Sequence, residues 1–175
     1  MKIGDRDFKT FINAAEIAAI VECLSTEVNR DYAGRSLVVC PILTGAYLFA
    51  ADLTRRLTMP CEVHFVRYSS YSGMNSTGEV RCVQPFPKCV EGRDVLIVED
   101  VVDSGLSMQV MLQQIEALHP NSVRVCTLFF KPHAFKGSFK VDYVGRDIGD
   151  DFIVGYGMDY NEQGRTLPEV LVINE

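Results

Sequence analysis

Four consecutive apolar residues, Val95-Leu96-Ile97-Val98, run straight into two adjacent acids, Glu99 and Asp100, and no other stretch constrains the fold as tightly. An unbroken apolar run suits a strand buried on both faces of a parallel sheet, which in turn demands helices on both sides. The acids mark the place where such a strand would emerge at its carboxyl end. Beyond them, Met108, Met111, Leu112, Ile115 and Leu118 recur at helical spacing up to Pro120. The unit therefore reads strand, tight loop, helix, and the loop holds Asp103, Ser104, Gly105 and Ser107. Ligands of open α/β sheets bind at the carboxyl ends of strands. Backbone N–H groups of a small-residue loop opening a helix can cradle a phosphate, helped by the helix dipole. The plainer alternative is an acidic helix start capped by Ser104.

Other segments supply partners for this unit. Leu37 to Leu43 is a second apolar run, followed by Thr44-Gly45-Ala46 and a helix whose Ala46, Ala50, Leu53 and Leu57 share a face. Glycine at a strand-to-helix turn permits close backbone approach to an anion. Val63 to Tyr68 alternates enough to be a strand, with Val63, Phe65 and Arg67 on one face. The stretch from Ser69 to Gly78 is polar and reads as a flexible, solvated hairpin loop. Ser122 to Phe130 is a further strand, with Lys131-Pro132 at its end. Near the N-terminus, Asn13 and Glu16 form a capping-box pattern ahead of Ile17, Ile20, Val21, Leu24 and Val28, and Gly34 is a plausible terminator.

Composition excludes several classes. The 175 residues fit one domain, spanning 1–175, and 47% hydrophobic content with mean hydropathy +0.08 is globular, with no segment approaching a membrane span. The opening MKIGDRDFKT lacks the apolar core of an export signal, so a cytoplasmic location and no membrane partner are expected. A net charge of −6 argues against nucleic acid as the main partner. The six cysteines show no C-x-x-C spacing and read as reduced structural thiols, with little support for zinc; His64 and His133 look incidental.

Residues Glu99 to Met108 resemble the phosphoribosyl-pyrophosphate (PRPP) motif of the type I phosphoribosyltransferases, and their flanking apolar residues are most similar to the hypoxanthine-guanine branch. The resemblance implies that Glu99 and Asp100 accept hydrogen bonds from the ribose hydroxyls, as ionised acids can. It implies a 5′-phosphate held by Asp103, Ser104, Gly105, Leu106 and Ser107, with Asp103 also facing purine N7 as general base or acid. Leu43, Thr44 and Gly45 would form the pyrophosphate loop, often built on a cis peptide, here Leu43–Thr44. Many relatives carry lysine where Thr44 stands, which leaves backbone amides and a metal to do more. Ser70 and Tyr71 stand where the family has a mobile loop that closes over PRPP and excludes water.

The block from Phe152 to Arg165, with its V-G-Y-G-M-D-Y-N-E core, closely resembles the C-terminal block of the same branch. By that resemblance Phe152 stacks on the purine, Ile153 reaches its edge through the backbone, and Met158 packs against it. Lys131 would donate to the exocyclic oxygen of a 6-oxopurine. Asp159, with Glu99 and Asp100, would serve Mg²⁺ held by pyrophosphate oxygens, and Arg165 would clamp the pyrophosphate. Gly164 replaces the bulkier residue of many relatives, which predicts a looser Arg165.

The implied fold is α/β: a mostly parallel central sheet with flanking helices, plus a small hood from the N- and C-terminal segments, including the first helix. Core strands are expected near 36–42, 62–69, 94–98, 122–129 and 141–145. The implied activity is Mg²⁺-dependent transfer of 5-phosphoribosyl from PRPP to hypoxanthine or guanine by a homo-oligomer, dimer or tetramer. Xanthine or adenine use, or a regulator sensing nucleotides or RNA on the same fold, are the alternatives; the intact Asp103, Lys131 and Arg165 weigh against the last.

Overall fold

The computed structural model describes residues 1–70 and 80–174. In chain order the elements are β1 (Lys2–Ile3), β2 (Arg6–Ile12), α1 (Ala14–Asp31), β3 (Leu37–Leu43), α2 (Tyr47–Thr54), β4 (Cys61–Val63), β5 (Val66–Ser70) and β6 (Val80–Gln84). After a short 3₁₀ turn at Lys88–Val90 come β7 (Asp94–Val102), α3 (Leu106–Glu116), β8 (Ser122–Phe130), β9 (Tyr143–Asp147), β10 (Ile153–Val154) and β11 (Val170–Ile173).

The main sheet runs β6-β5-β3-β7-β8-β9, with β4 also on β3. All of its pairings are parallel except β5 with β6. The side chains of the two apolar runs alternate between two cores, which explains why neither run alternates with polar residues. Leu37, Val39, Leu96 and Val98 face the core beneath α1 and α2. Val38, Cys40, Val95 and Ile97 face the core beneath α3, with Met108, Met111 and Ile115. Each of these strand residues is fully buried. Every such aliphatic side chain contributes roughly 1.5–3 kcal/mol on transfer from water.

Three expectations need correction. First, β7 does not stop at the acids but runs on to Val102, because its pairing with β8 continues through Glu99↔Thr127 and Val102↔Phe130. Second, the strand expected over 62–69 is two strands. β4 follows the first half of β3, the ladder breaks at His64 and Phe65, and β5 takes up the second half. Val63 and Phe65, expected to share one face of a single strand, fall on either side of this break and are 41% and 44% exposed.

Third, α1 is not part of the hood. Its capping box forms as read, Asn13 Oδ1 accepting from Glu16 N–H at 3.0 Å and Glu16 Oε2 from Asn13 N–H at 3.0 Å. However, Ile17, Val21, Leu24 and Val28 bury themselves in the main core. An 18-residue amphipathic helix has to cover its apolar stripe, and the sheet offers the larger apolar surface. The N-terminal contribution to the hood is β2, which pairs antiparallel with β11; the small sheet runs β1-β2-β11-β10 around Ile3, Phe8, Val154 and Leu171.

No helix among the described residues is long and apolar enough to cross a membrane. All six cysteines are free thiols.

Candidate active site

The register of β7 on β8 pairs Val102 with Phe130, so the residues that follow each strand emerge side by side. Asp103 and Lys131 are those residues. Lys131 Nζ lies 3.1 Å from Asp103 Oδ2 and 3.5 Å from the carbonyl of Asp150. The lysine side chain is 9% exposed and that of Asp103 56%. Lys131 is therefore a buried ammonium with one carboxylate partner, not a surface charge. Its own N–H donates to Val102 O at 3.0 Å, which locks the two strand ends together.

Asp103 opens the small-residue loop. Gly105 has φ +75° and is the N-cap of α3, which no side chain caps, so the Ser104-capped helix start is ruled out. A Cβ at Gly105 would lie 2.5 Å from the Phe135 ring. Phe130, Phe135 and Phe139 stack edge to face at 5.1 and 5.2 Å, and Lys136 N–H donates to Ser104 O at 2.9 Å. The segment after Lys131 thus forms the back wall of the loop. Glu99, Asp103, Ser104, Gly105 and Ser107 line a small cavity of about 130 Å³ here. Leu106, by contrast, turns its side chain to solvent.

This wall makes Gly105 testable. Gly105→Ala requires a left-handed backbone at about 1–2 kcal/mol and also intrudes on packed aromatic rings. The expected result is a midpoint of thermal unfolding lower by roughly 2–8 °C, with weaker PRPP binding. An unchanged midpoint would show that the wall does not hold the loop.

The two acids sit at the same edge. Asp100 N–H donates to Glu99 Oε1 at 3.3 Å, and Val101 N–H to Asp100 Oδ1 at 2.9 Å. Burial, and then the Asp100 carboxylate beside it, push the Glu99 carboxyl well above its usual range. A carboxyl so placed is readily turned into an acceptor by an approaching cation or hydroxyl donor, which relieves both causes.

Two glycines bring the other segments in. At the end of β3 the Leu43–Thr44 peptide is cis, at the position the resemblance marks for such a bond. A Cβ on Gly45 would collide with the Asp100 carboxylate, and one on Gly157 with the Gly45 carbonyl. The loop after β3 therefore lays its backbone against the Asp100 carboxylate on one side and the hood backbone on the other. Tyr47 Oη donates to the Arg165 carbonyl at 3.4 Å across the same junction.

In the hood, Phe152 is 46% exposed and rests edge to face on Tyr160 at 5.8 Å, with Phe8 behind at 5.7 Å. Ile153 and Met158 are buried and belong to the main core cluster. Arg165 is not loose. It donates to Gly157 O at 3.0 Å and pairs with Asp159 at 2.7 Å and Glu162 at 3.2 Å. Gly164 lies at φ +91° with Val154 where a side chain would point, so packing requires the glycine. Ser70 ends β5, while Tyr71 and the expected mobile loop lie outside the described residues.

The sequence reading missed Phe135, Lys136, Phe139, Glu162 and the role of Gly157. A Phe-x-x-x-Phe pair following Lys-Pro was the available signal for the wall; nothing local marks Gly157.

A parallel sheet carrying an acid pair and a small-residue loop at its carboxyl edge, roofed by a hood built from both chain ends, defines the type I phosphoribosyltransferase architecture. Residues 9–161 match the model of the phosphoribosyl transferase domain. The chain belongs to that family. It is 42% identical over 169 residues to the hypoxanthine-guanine phosphoribosyltransferase of Mycobacterium avium, covering 92% of this chain and 83% of that one. It is 34% identical over 163 residues to that of Staphylococcus aureus strain Mu50, covering 93% and 91%. The crystal structure of a hypoxanthine-guanine phosphoribosyltransferase from Bacillus anthracis superposes with a TM-score of 0.88 at 33% identity, covering 99% of this chain and 100% of that one.

Proposed function

We propose that this protein transfers the 5-phosphoribosyl group of PRPP to N9 of hypoxanthine or guanine, giving IMP or GMP and pyrophosphate in purine salvage. The observation that carries the base preference is the pair formed by Lys131 and Asp103 beside the phosphate loop. A buried ammonium has donors only, so it suits the 6-oxo oxygen and leaves an adenine amino group unpaired. The adjacent carboxylate faces the opposite task, accepting or returning the proton at N7 while the bond from ribose C1 to pyrophosphate breaks and that to N9 forms.

The remaining residues position and shield. Glu99 and Asp100 accept from the ribose diol, and the backbone and hydroxyls of Ser104 and Ser107 hold the 5′-phosphate. The exposed face of Phe152 stacks on the base, with Ile153 offering its backbone. The carboxylates of Glu99, Asp100 and Asp159 are an all-oxygen donor set of the kind Mg²⁺ prefers, alongside substrate phosphates. When bound, that ion neutralises charge on the leaving pyrophosphate. Asp159 and Arg165 neutralise each other at 2.7 Å, so engaging pyrophosphate exchanges this pair for ligand contacts.

The test is pyrophosphate release from PRPP with hypoxanthine, guanine, xanthine and adenine in turn, with and without Mg²⁺. Turnover on the first two bases, dependent on Mg²⁺, is the expected result. Preference for xanthine would move the base assignment, and no turnover on any base would overturn the proposal.

A further inference from the structure

The geometry points to a zinc-binding site formed by Glu62, His64 and Cys89, at the opposite end of the sheet from the active site. Glu62 lies on β4 and His64 directly after it, while Cys89 sits in the 3₁₀ turn Lys88–Val90 that precedes β7. Glu62 pairs in register with Val38, and Val38 with Val95, at the amino half of β7. The acid pair and Asp103 lie towards and beyond its carboxyl end.

One nitrogen organises the cluster. His64 Nε2 is 3.4 Å from Glu62 Oε2 and 3.5 Å from Cys89 Sγ, and all three donor atoms lie within 4.8 Å of one another. Zinc bonds of about 2.0–2.1 Å to nitrogen, about 2.0–2.2 Å to oxygen and about 2.3 Å to sulfur, at tetrahedral angles, set the N···O edge near about 3.4 Å and the N···S edge near about 3.6 Å. The two short separations match those edges. Glu62 and Cys89 are exposed side chains, so small rotations close the third.

Hydrogen bonding alone serves this arrangement poorly. With a proton on Nε2 the imidazole donates to Glu62 and reaches the Cys89 sulfur, a weak acceptor, only as the poor second arm of a shared bond. Without one, its lone pair faces the Glu62 carboxylate. A cation at the centre resolves the conflict, since all three groups then act as donors of electron pairs and the thiol proton leaves to solvent. Charge balances too: one thiolate, one carboxylate and a neutral imidazole against a divalent ion.

The outer shell is in place. Arg93 NH2 holds Glu62 Oε1 at 3.1 Å, which leaves Oε2 turned towards His64. A mixed sulfur, nitrogen and oxygen set selects zinc over Mg²⁺, which takes oxygen ligands. Three protein ligands leave a fourth position for water. The ion would tie β4 to the turn before β7, closing the chain between residues 62 and 89, which carries the β5–β6 hairpin.

The experiment is titration of the reduced, metal-free full chain with Zn²⁺ against a chromophoric chelator, in excess Mg²⁺ so that the acids of the active site are competed for. The expected result is one equivalent bound with micromolar or tighter affinity. Outer-shell substitutions alone cost about 10- to 100-fold in metal affinity, so loss of a direct ligand in Cys89→Ser or His64→Gln should weaken binding at least about tenfold. Cys23→Ser and Cys82→Ser should bind as the parent does. Co²⁺ should give a thiolate-to-metal charge-transfer band that disappears in Cys89→Ser, with circular dichroism confirming that the variants are folded. Absence of a saturable equivalent, or binding and a Co²⁺ band that survive both substitutions, would overturn the site.

Discussion

Asp103→Asn is expected to lower kcat by roughly 10²–10⁴, the usual scale of general acid–base catalysis, while changing PRPP affinity little. The substitution isolates the proton. Asparagine keeps an oxygen that can still accept from Lys131 Nζ, now 3.1 Å from the carboxylate, so the lysine stays oriented. The loop from Ser104 to Ser107 is held by Gly105, Lys136 and the aromatic wall, none of which Asp103 supports directly. What the variant loses is the ability to exchange a proton with N7. Steady-state kinetics and PRPP binding together decide the matter: near-normal turnover would remove Asp103 from the chemistry, and a parallel collapse of PRPP affinity would make its role structural.

Lys131→Ala should reduce kcat/KM for hypoxanthine and guanine by roughly 10- to 150-fold, the effect of a charged hydrogen bond worth about 1.5–3 kcal/mol. Adenine presents an amino group where the oxygen would be, and any residual activity on it should not fall comparably. The contact with Asp103 adds a second expectation. Two groups 3.1 Å apart do not act independently, so the losses in Lys131→Ala and Asp103→Asn should not add in the double variant. Additive losses would mean the two serve separate steps. Equal losses on every base would place Lys131 in the fold or the pyrophosphate site and end the specificity argument.

Those two residues also show where sequence reading stopped. Lys131 was visible at the end of an apolar run and Asp103 in the small-residue loop beyond Glu99 and Asp100, because local pattern marks where strands stop, and the resemblance gave each its role. Their contact was not visible, since it spans 28 residues and depends on the register of β7 against β8. A shift of one residue would have separated them.

The sequence by itself determined the parallel α/β core, the capping box of α1 and the small-residue loop before α3, and the resemblance marked Leu43–Thr44 as the position for a cis peptide. Hydrophobic period and capping are properties of neighbours along the chain, and a chain can be read for them directly. Only the tertiary structure decided that α1 joins the core while β2 joins the hood, for burial is a competition between surfaces that no single segment contains. It also decided that β4 and β5 share one edge of β3, that Gly157 seats on Gly45 and Gly45 on Asp100, and that Arg165 is held by Asp159. The same holds for Glu62, His64 and Cys89. Two of them stand on one broken strand and the third 25 residues beyond His64, a spacing that carries no metal signature until the sheet folds them around a single nitrogen.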